Sequence, residues 1–484
     1  MSTTENEKGE VVVVFVPSPG MGHLVATTEF AKHLINRHPL LSVTLFHIQT
    51  PFDSAIPSSS YTHFLSSSSS ERLHLITLPQ PPPPPPDHNK AASFMASLLE
   101  SQKSNVRDAV SNLNNIGAFV VDMFCTTMIE VARELGVPAF VFFTSGVAFL
   151  SLVLHLHTLR ERDNFDATEL KDAPETELII PGFANPVPAG VLPSTVLNKE
   201  WDSFFLSVVK GLKTADGFLV NSFEELESHA IHSFPHAHHH IPMYPVGPIL
   251  KLTTGDNDND VITWLDHQPP SSVIFLCFGS MGSMDQEQAR EIALALEASG
   301  ARFLWSLRKP TPKGTMAPPT DYDPEELVEV LPEGFLDRTA GIGRVIGWAP
   351  QAQVLAHRAT AGFVSHCGWN STLESIHFGV PMATWPLYAE QQINAFELVR
   401  ELDMAVEIAL DYRVEYGAGR NTLLSAEKIE RGIREVLGKD EGGRGEMVRK
   451  RVKEMSEKSR KTLAEEGGSS YSHLGRFIDH IINH

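Results

Sequence analysis

The chain has 484 residues, 42% of them apolar and 20% charged, enough for two or three ordinary domains and balanced like a soluble globular protein. A net charge of −20 at neutral pH argues against nucleic acid or an anionic membrane surface as partner, and leaves room for a small anionic ligand in a local positive field. The three cysteines, Cys125, Cys277 and Cys367, lie in apolar stretches, as reduced core thiols of a cytoplasmic protein do. No basic n-region leads into an apolar stretch, and no window approaches the roughly twenty apolar residues of a span, so neither a signal peptide nor a membrane helix is expected.

In chain order, VVVVFVP (11–17) reads as a buried strand, followed by a tight turn and a helix from about Leu24 to Arg37. LSVTLFHI (41–48), LHLITL (73–78), GAFVVDMF (117–124) and PAFVFFT (138–144) are further strands. Between the last two, TTMIEVARELG has apolar positions at helical spacing and a stop at Gly136. Strand, helix, strand in this order predicts parallel βαβ units. The pattern restarts at SVIFLCFGS (272–280), continues with a helix over 286–299, and then gives strands in ARFLWSLR (301–308), GRVIGWA (343–349) and AGFVSHC (361–367). Two such series predict an α/β fold of two doubly wound, Rossmann-like parallel-sheet domains. YPVGPIL followed by KLTTGDNDND reads as a linker, which sets an N-terminal domain over 1–250, a linker over 251–260 and a C-terminal domain over 261–467. SSSYTHFLSSSSS (58–70), PPPPPP (81–86) and TPKGTMAPPTDYDPEE (311–326) read as exposed loops, the proline run as stiff polyproline II.

Ligands of doubly wound sheets bind at the carboxyl ends of the strands, and the polar clusters of this sequence fall at such ends. In VPSPGMGH, Gly20 and Gly22 turn the backbone and set His23 at a helix entrance. A dinucleotide fingerprint would need a third glycine where Val25 stands, which weakens an NAD(P)-dependent oxidoreductase as the alternative. Two readings stand for His23, a helix-cap histidine or a general base. Asp122, an acidic residue closing an apolar run, is the candidate to orient its ring, with a structural cap as the plainer alternative. In HCGWNSTLES (366–375), Ser371 and Glu374 have the spacing of a capping box. The sharper reading is a helix N-terminus presenting backbone N–H groups to a diphosphate, with His366, Asn370 and Ser371 adding donors and Glu374 accepting from ribose hydroxyls. FGSMGS (278–283) is a second phosphate-suited turn, and Trp348 in IGWAPQ is placed either to stack on a base or to pack in the core.

WAPQAQVLAHRATAGFVSHCGWNSTLESIHFGVPMATWPLYAEQ (348–391) resembles the signature box of plant secondary-product UDP-glycosyltransferases, and VPSPGMGH, VVDMFC, GFLVNSFEELE, FLCFGSMGS and GGSSYSHLGRFIDHI extend the resemblance over essentially the whole chain. It implies the GT-B fold of two facing Rossmann-like domains, with the terminal helix over 468–484 crossing back to the N-terminal domain. It implies an inverting O-glucosyltransferase of family 1, resembling the flavonoid and phenolic branch, with UDP-glucose as donor co-substrate. A terpenoid or hormone acceptor, or a sugar-nucleotide sensor without catalysis, are the alternatives; no metal or other cofactor is implied, and a monomer is the default. The resemblance assigns His23 and Asp122 to catalysis. It assigns the donor to Ser280, Ser283, Trp348, Ala349, Gln351, His366, Gly368, Trp369, Asn370, Ser371, Glu374, Tyr388, Glu390 and Gln391, where Glu390 replaces the aspartate of many members and Gln391 goes with glucose. Acceptor candidates are Gly20, Phe124, Phe143, Phe149 and Phe205, each aromatic equally suited to core packing. DNDND (256–260) and DYD (321–323) share the D-x-D spacing of metal-dependent glycosyltransferases of another fold, but away from a strand end they read as solvated; HAHHH (236–240) reads as an adventitious metal binder at most.

Overall fold

The structure, a computed structural model, describes residues 9–50, 70–80, 91–238, 241–252, 260–311, 318–414, 423–438 and 443–483. The hexaproline run, residues 58–69 of the serine-rich stretch, 256–259 of DNDND, His239, His240 and residues 312–317 lie outside the described residues. The chain divides into two compact units, one of residues 1–168, 198–251 and 462–484, the other of residues 169–197 and 252–461.

The first unit is built on seven strands: β1 (Val11–Val16), β2 (Leu41–His47), β3 (Leu73–Thr77), β4 (Ile116–Asp122), β5 (Ala139–Phe143), β6 (Gly217–Val220) and β7 (Met243–Pro245). Their order is β3-β2-β1-β4-β5-β6-β7, with every neighbouring pair parallel. The inner strands are apolar runs because helices cover both faces of a parallel sheet; every residue of β2 and of β5 is buried. Helix α1 (Met21–Arg37) leaves β1 and is clamped by Phe30, which stacks on Phe142 of β5 at 4.8 Å between ring centroids and meets Phe15 of β1 edge-on at 5.8 Å. That packing fixes the start of α1 over the carboxyl end of β1. The connections run one way from β1 to β2 and β3 and the other way at β4, so the ends of β1 and β4 border the crevice of a topological switch point.

The terminal helix (Ser469–Asn483) belongs to this unit. Phe477 meets Phe140 edge-on at 4.9 Å and lies 5.9 Å from Tyr244, while the Ser469 hydroxyl donates to the Glu225 carboxylate at 2.9 Å.

The second unit carries β8 (Val273–Cys277), β9 (Arg302–Ser306), β10 (Gly343–Ile346), β11 (Thr360–Ser365), β12 (Met382–Thr384) and β13 (Ala405–Glu407), in the order β10-β9-β8-β11-β12-β13 and again parallel throughout. Phe275 and Phe363 stack at 5.2 Å across its central pair. Here the switch point lies between β8 and β11.

Several expectations are corrected. YPVGPIL is no linker: residues 244–250 are buried, and Val246 and Gly247 donate to Val220 and Ser222 at 2.9 and 2.8 Å, extending the sheet edge. Its two prolines and glycine mimic a linker because an edge needs fewer N–H donors. Residues 169–197, expected in the N-terminal domain, join the second unit, where the Ala184 and Asn185 N–H groups donate to the Glu401 carboxylate at 2.9 and 3.0 Å and Phe183 packs on Phe396 at 6.0 Å. Helix α1 starts at Met21, not Leu24, because Gly20 takes a φ of 118° that ends the turn early.

Phe477→Ala removes a wholly buried ring from the first unit's core and is expected to destabilise that unit by about 3–5 kcal/mol, read as an earlier urea transition.

Candidate active site

Two clusters of polar groups stand at the two switch points, one in each unit. In the first, β1 pairs with β4 through Val16 and Val121, which brings the residues following β1 beside Asp122. Asp122 is 2% exposed, and a buried carboxylate must be satisfied by donors. Its Oδ1 accepts from the Ser18 hydroxyl and from the Phe124 N–H at 3.2 Å, and its Oδ2 lies 2.8 Å from Nδ1 of His23. Thr144, just past β5, places its hydroxyl 3.1 Å from the same Nδ1. A carboxylate only accepts, so Nδ1 carries the proton and Nε2 is the basic nitrogen of the neutral ring. His23 keeps 28% of its side chain exposed while Asp122 keeps none, so a molecule from solvent can reach the ring and not the carboxylate.

Beside His23 lies an aromatic cluster. Phe124 meets the His23 ring edge-on at 5.7 Å and stacks with Phe204 at 6.2 Å, and Trp201 meets Phe204 at 5.8 Å. Phe205 is half-buried on the same helix (Lys199–Leu212). Phe143 and Phe149, expected in the lining, instead pack on each other at 5.8 Å, 0% and 7% exposed, and belong to the core. Ser18, Thr144, Trp201 and Phe204 escaped the sequence reading. A serine or threonine next to a strand end carries no signal of its own, while the amphipathic pattern of residues 199–212 could have pointed to the two rings.

In the second unit the turns after β8 and β11 come together around His366. A Cβ built on Gly279 would stand 2.6 Å from its Nε2, and one on Gly368 2.5 Å, so both positions need glycine for the imidazole to fit. Burial lowers the His366 pKa to about 4 against the opposing Cys277 backbone, which leaves the ring neutral and a hydrogen-bonding group rather than a cation. The helix after β11 starts at Trp369 with Gly368 as its N-cap and no side-chain cap. Ser371 and Glu374 therefore form no capping box. They are tied instead to Gln351, whose amide donates to the Ser371 hydroxyl at 2.8 Å and to the Glu374 carboxylate at 2.7 Å. Ser280 is exposed and Ser283 half-buried in the turn after β8, Asn370 is half-buried, and Tyr388 and Glu390 are half-buried where Ala389 takes a positive φ of 56°. Trp369 and Ala349 are nearly buried. Gln391 is also buried and turns its carbonyl to the N–H groups of Leu387 and Tyr388 at 2.8 and 3.1 Å.

Trp348 is the outlier, a tryptophan 63% exposed. The Arg308 guanidinium stands 5.7 Å from its ring centroid and is itself held by Asp321 at 2.9 Å. An indole kept in water against a cation is suited to stack a planar base. In the DYD segment Asp321 pairs with Arg308, and Asp323 caps the helix Pro324–Val330.

Residues 194–411 match the family model described as UDP-glucoronosyl and UDP-glucosyl transferase. The chain is 49% identical to UDP-glucose flavonoid 3-O-glucosyltransferase 6 of Fragaria ananassa, over 97% of this chain and 98% of that protein. It belongs to this family. Among solved structures, a transferase from Siraitia grosvenorii in complex with UDP is 46% identical with a TM-score of 0.85, over 98% of this chain and all of that one. UGT71G1 of Medicago truncatula complexed with UDP-glucose is 38% identical with a TM-score of 0.83, over 98% of each chain. The two Rossmann-like units are thus those of a GT-B glycosyltransferase, which removes the oxidoreductase alternative. Among the described residues no helix is long and apolar enough to cross a membrane.

Burial raises the Glu374 pKa from the ordinary carboxylate range to about 7, opposed by the Gln351 amide. A carboxyl whose folded pKa is raised binds more protons folded than unfolded, so stability falls as pH rises from about 4.5 through 7. In melting curves across that range, Glu374→Gln is expected to match the parent glycosyltransferase near pH 4 and to exceed it above pH 7, by up to about 3 kcal/mol.

Proposed function

We propose that this chain transfers glucose from UDP-glucose to a hydroxyl of a phenolic or flavonoid acceptor, giving a β-O-glucoside and UDP by direct displacement with inversion. The observation that carries the chemistry is the 2.8 Å contact between His23 Nδ1 and the buried Asp122. With the proton on Nδ1, Nε2 takes the proton of the acceptor hydroxyl as its oxygen attacks the anomeric carbon, and Asp122 stabilises the imidazolium that forms. Phenols suit such a base, since their pKa near 10 lies closer to that of histidine than an alkyl alcohol's does. The ring cluster of Phe124, Phe204 and Trp201 beside His23 supports a flat aromatic acceptor, and the relative from Fragaria ananassa is named for a flavonoid.

On the donor side, the leaving diphosphate is served by the N-terminus of the helix Trp369–Phe378 with His366 and Ser371 around it, preorganised donors that need no reorientation as charge develops. Trp348 stacks the uracil, and Glu374, held by Gln351, accepts from the ribose hydroxyls. Negative charge is met here by a helix end and neutral donors, so we propose turnover without a metal. Three buried free cysteines support a reducing compartment such as the cytoplasm.

Mass spectrometry of the purified protein with UDP-glucose and a panel of phenols tests this. A hexosylated phenol is expected, unaffected by EDTA and reduced at least a hundredfold in His23→Ala, in line with the loss of a general base. Thermal stabilisation by UDP is expected to survive that substitution. Unchanged turnover in His23→Ala would remove the general-base assignment, and loss of turnover with EDTA would overturn the metal-free one.

A further inference from the structure

Asp122 must do more than sit near His23: its Oδ2 must face Nδ1 in the plane of the ring, and a carboxylate held by one partner swings. Oδ1 is held on two sides, by the Phe124 N–H at 3.2 Å and by the Ser18 hydroxyl. Ser18 is 3% exposed, two residues past the end of β1, and its Oγ lies 3.6 Å from Sγ of Cys125, also wholly buried. A carboxylate has no proton to give, so Ser18 donates to Asp122, and its lone pairs are left to accept from the thiol. Burial, with the neighbouring Asp122 charge, pushes the Cys125 thiol well above its usual range, so its S–H is retained.

We infer that Ser18 is a positioning residue for the base, the middle of a buried relay Cys125–Ser18–Asp122–His23 that holds the carboxylate in register and moderates the negative charge His23 feels. The inference rests on His23 being the base of the proposed transfer, and it adds that the strength of this base is set from behind by a hydroxyl that never meets the substrate. No bond is made or broken in the relay; its effect is electrostatic and orienting. Among the described residues, the titratable groups facing His23 in this cluster include Asp122 and, behind Ser18, Cys125, while Thr144 contributes a neutral hydroxyl at 3.1 Å.

Removing the Ser18 donor concentrates charge on Asp122, which favours the imidazolium and raises the His23 pKa. The test is the pH dependence of diethylpyrocarbonate modification of His23, followed by peptide mass spectrometry. It reads the neutral imidazole whether or not transfer occurs, and the 28% exposure of the side chain leaves it within reach. In Ser18→Ala the His23 pKa is expected to rise by about half a unit or more, and to return in Ser18→Thr, which restores the hydroxyl. Cys125→Ala is expected to move it the same way by less. In steady-state kinetics with a phenol, Ser18→Ala is expected to lower kcat about tenfold and to leave KM for UDP-glucose unchanged, the cost of one hydrogen bond to a charged group. An unmoved His23 pKa in Ser18→Ala, or a shift that Ser18→Thr fails to reverse, overturns the relay while leaving the proposed transfer standing. A shifted pKa in a protein that glucosylates no phenol upholds the relay and overturns the acceptor reading.

Discussion

The chemistry of this protein depends on one constraint of parallel sheets: all strands of a sheet end on the same side, and where the crossovers change direction their loops part. At that point in the first unit, β1 and β4 deliver Ser18 and Asp122 side by side, with His23 two residues into the helix that β1 feeds. In the second unit, β8 and β11 bring Gly279 and His366 into contact in the same way. Residues far apart in the chain meet because adjacent strands run in register, and no local pattern has to encode the meeting.

The two sites solve opposite electrostatic problems. In the first, a charge is kept in the interior, which costs several kcal/mol unless it is matched, and three donors converge on Asp122 to match it. In the second, the buried groups themselves are held toward their neutral forms. Burial there leaves His366 neutral with a pKa of about 4 and brings Glu374 up to about 7, so the surround resists carrying charge of its own. The helix beside them starts at Trp369 with Gly368 as N-cap, so no side-chain cap covers the positive end of its dipole.

The aromatic residues show how burial decides among like candidates. Phe124, Phe143, Phe149 and Phe205 are equivalent as letters. Phe143 lies within a strand covered on both faces, and Phe149 follows into a helix buried over most of its length. Phe124 stands just past a strand end, where the sheet stops covering it, and gains Phe204 as a neighbour, which Trp201 meets in turn. Likewise Trp348, by default a core residue, is held out in water by Arg308 from a hairpin whose two short strands are Arg308–Lys309 and Thr320–Asp321.

The sequence by itself determined the two βαβ series, the strands with unbroken apolar runs, the turns in which His23, Asp122, His366 and Glu374 sit, and the family through the 348–391 box. These are local properties: period, glycine placement and helix starts are set by neighbours in the chain. The tertiary structure alone decided the partners. It assigned residues 169–197 to the second unit, made an edge of YPVGPIL, tied Glu374 to Gln351 in place of a capping box, and set Ser18 and Thr144 around the His23–Asp122 pair. Short strands such as Met382–Thr384 and Ala405–Glu407 were equally illegible, since three residues carry no period and are strands only because a neighbour supplies the ladder. Hydrogen bonds across a hundred positions leave no trace in composition; they exist because burial compels each polar group to find a partner wherever the sheet has placed one.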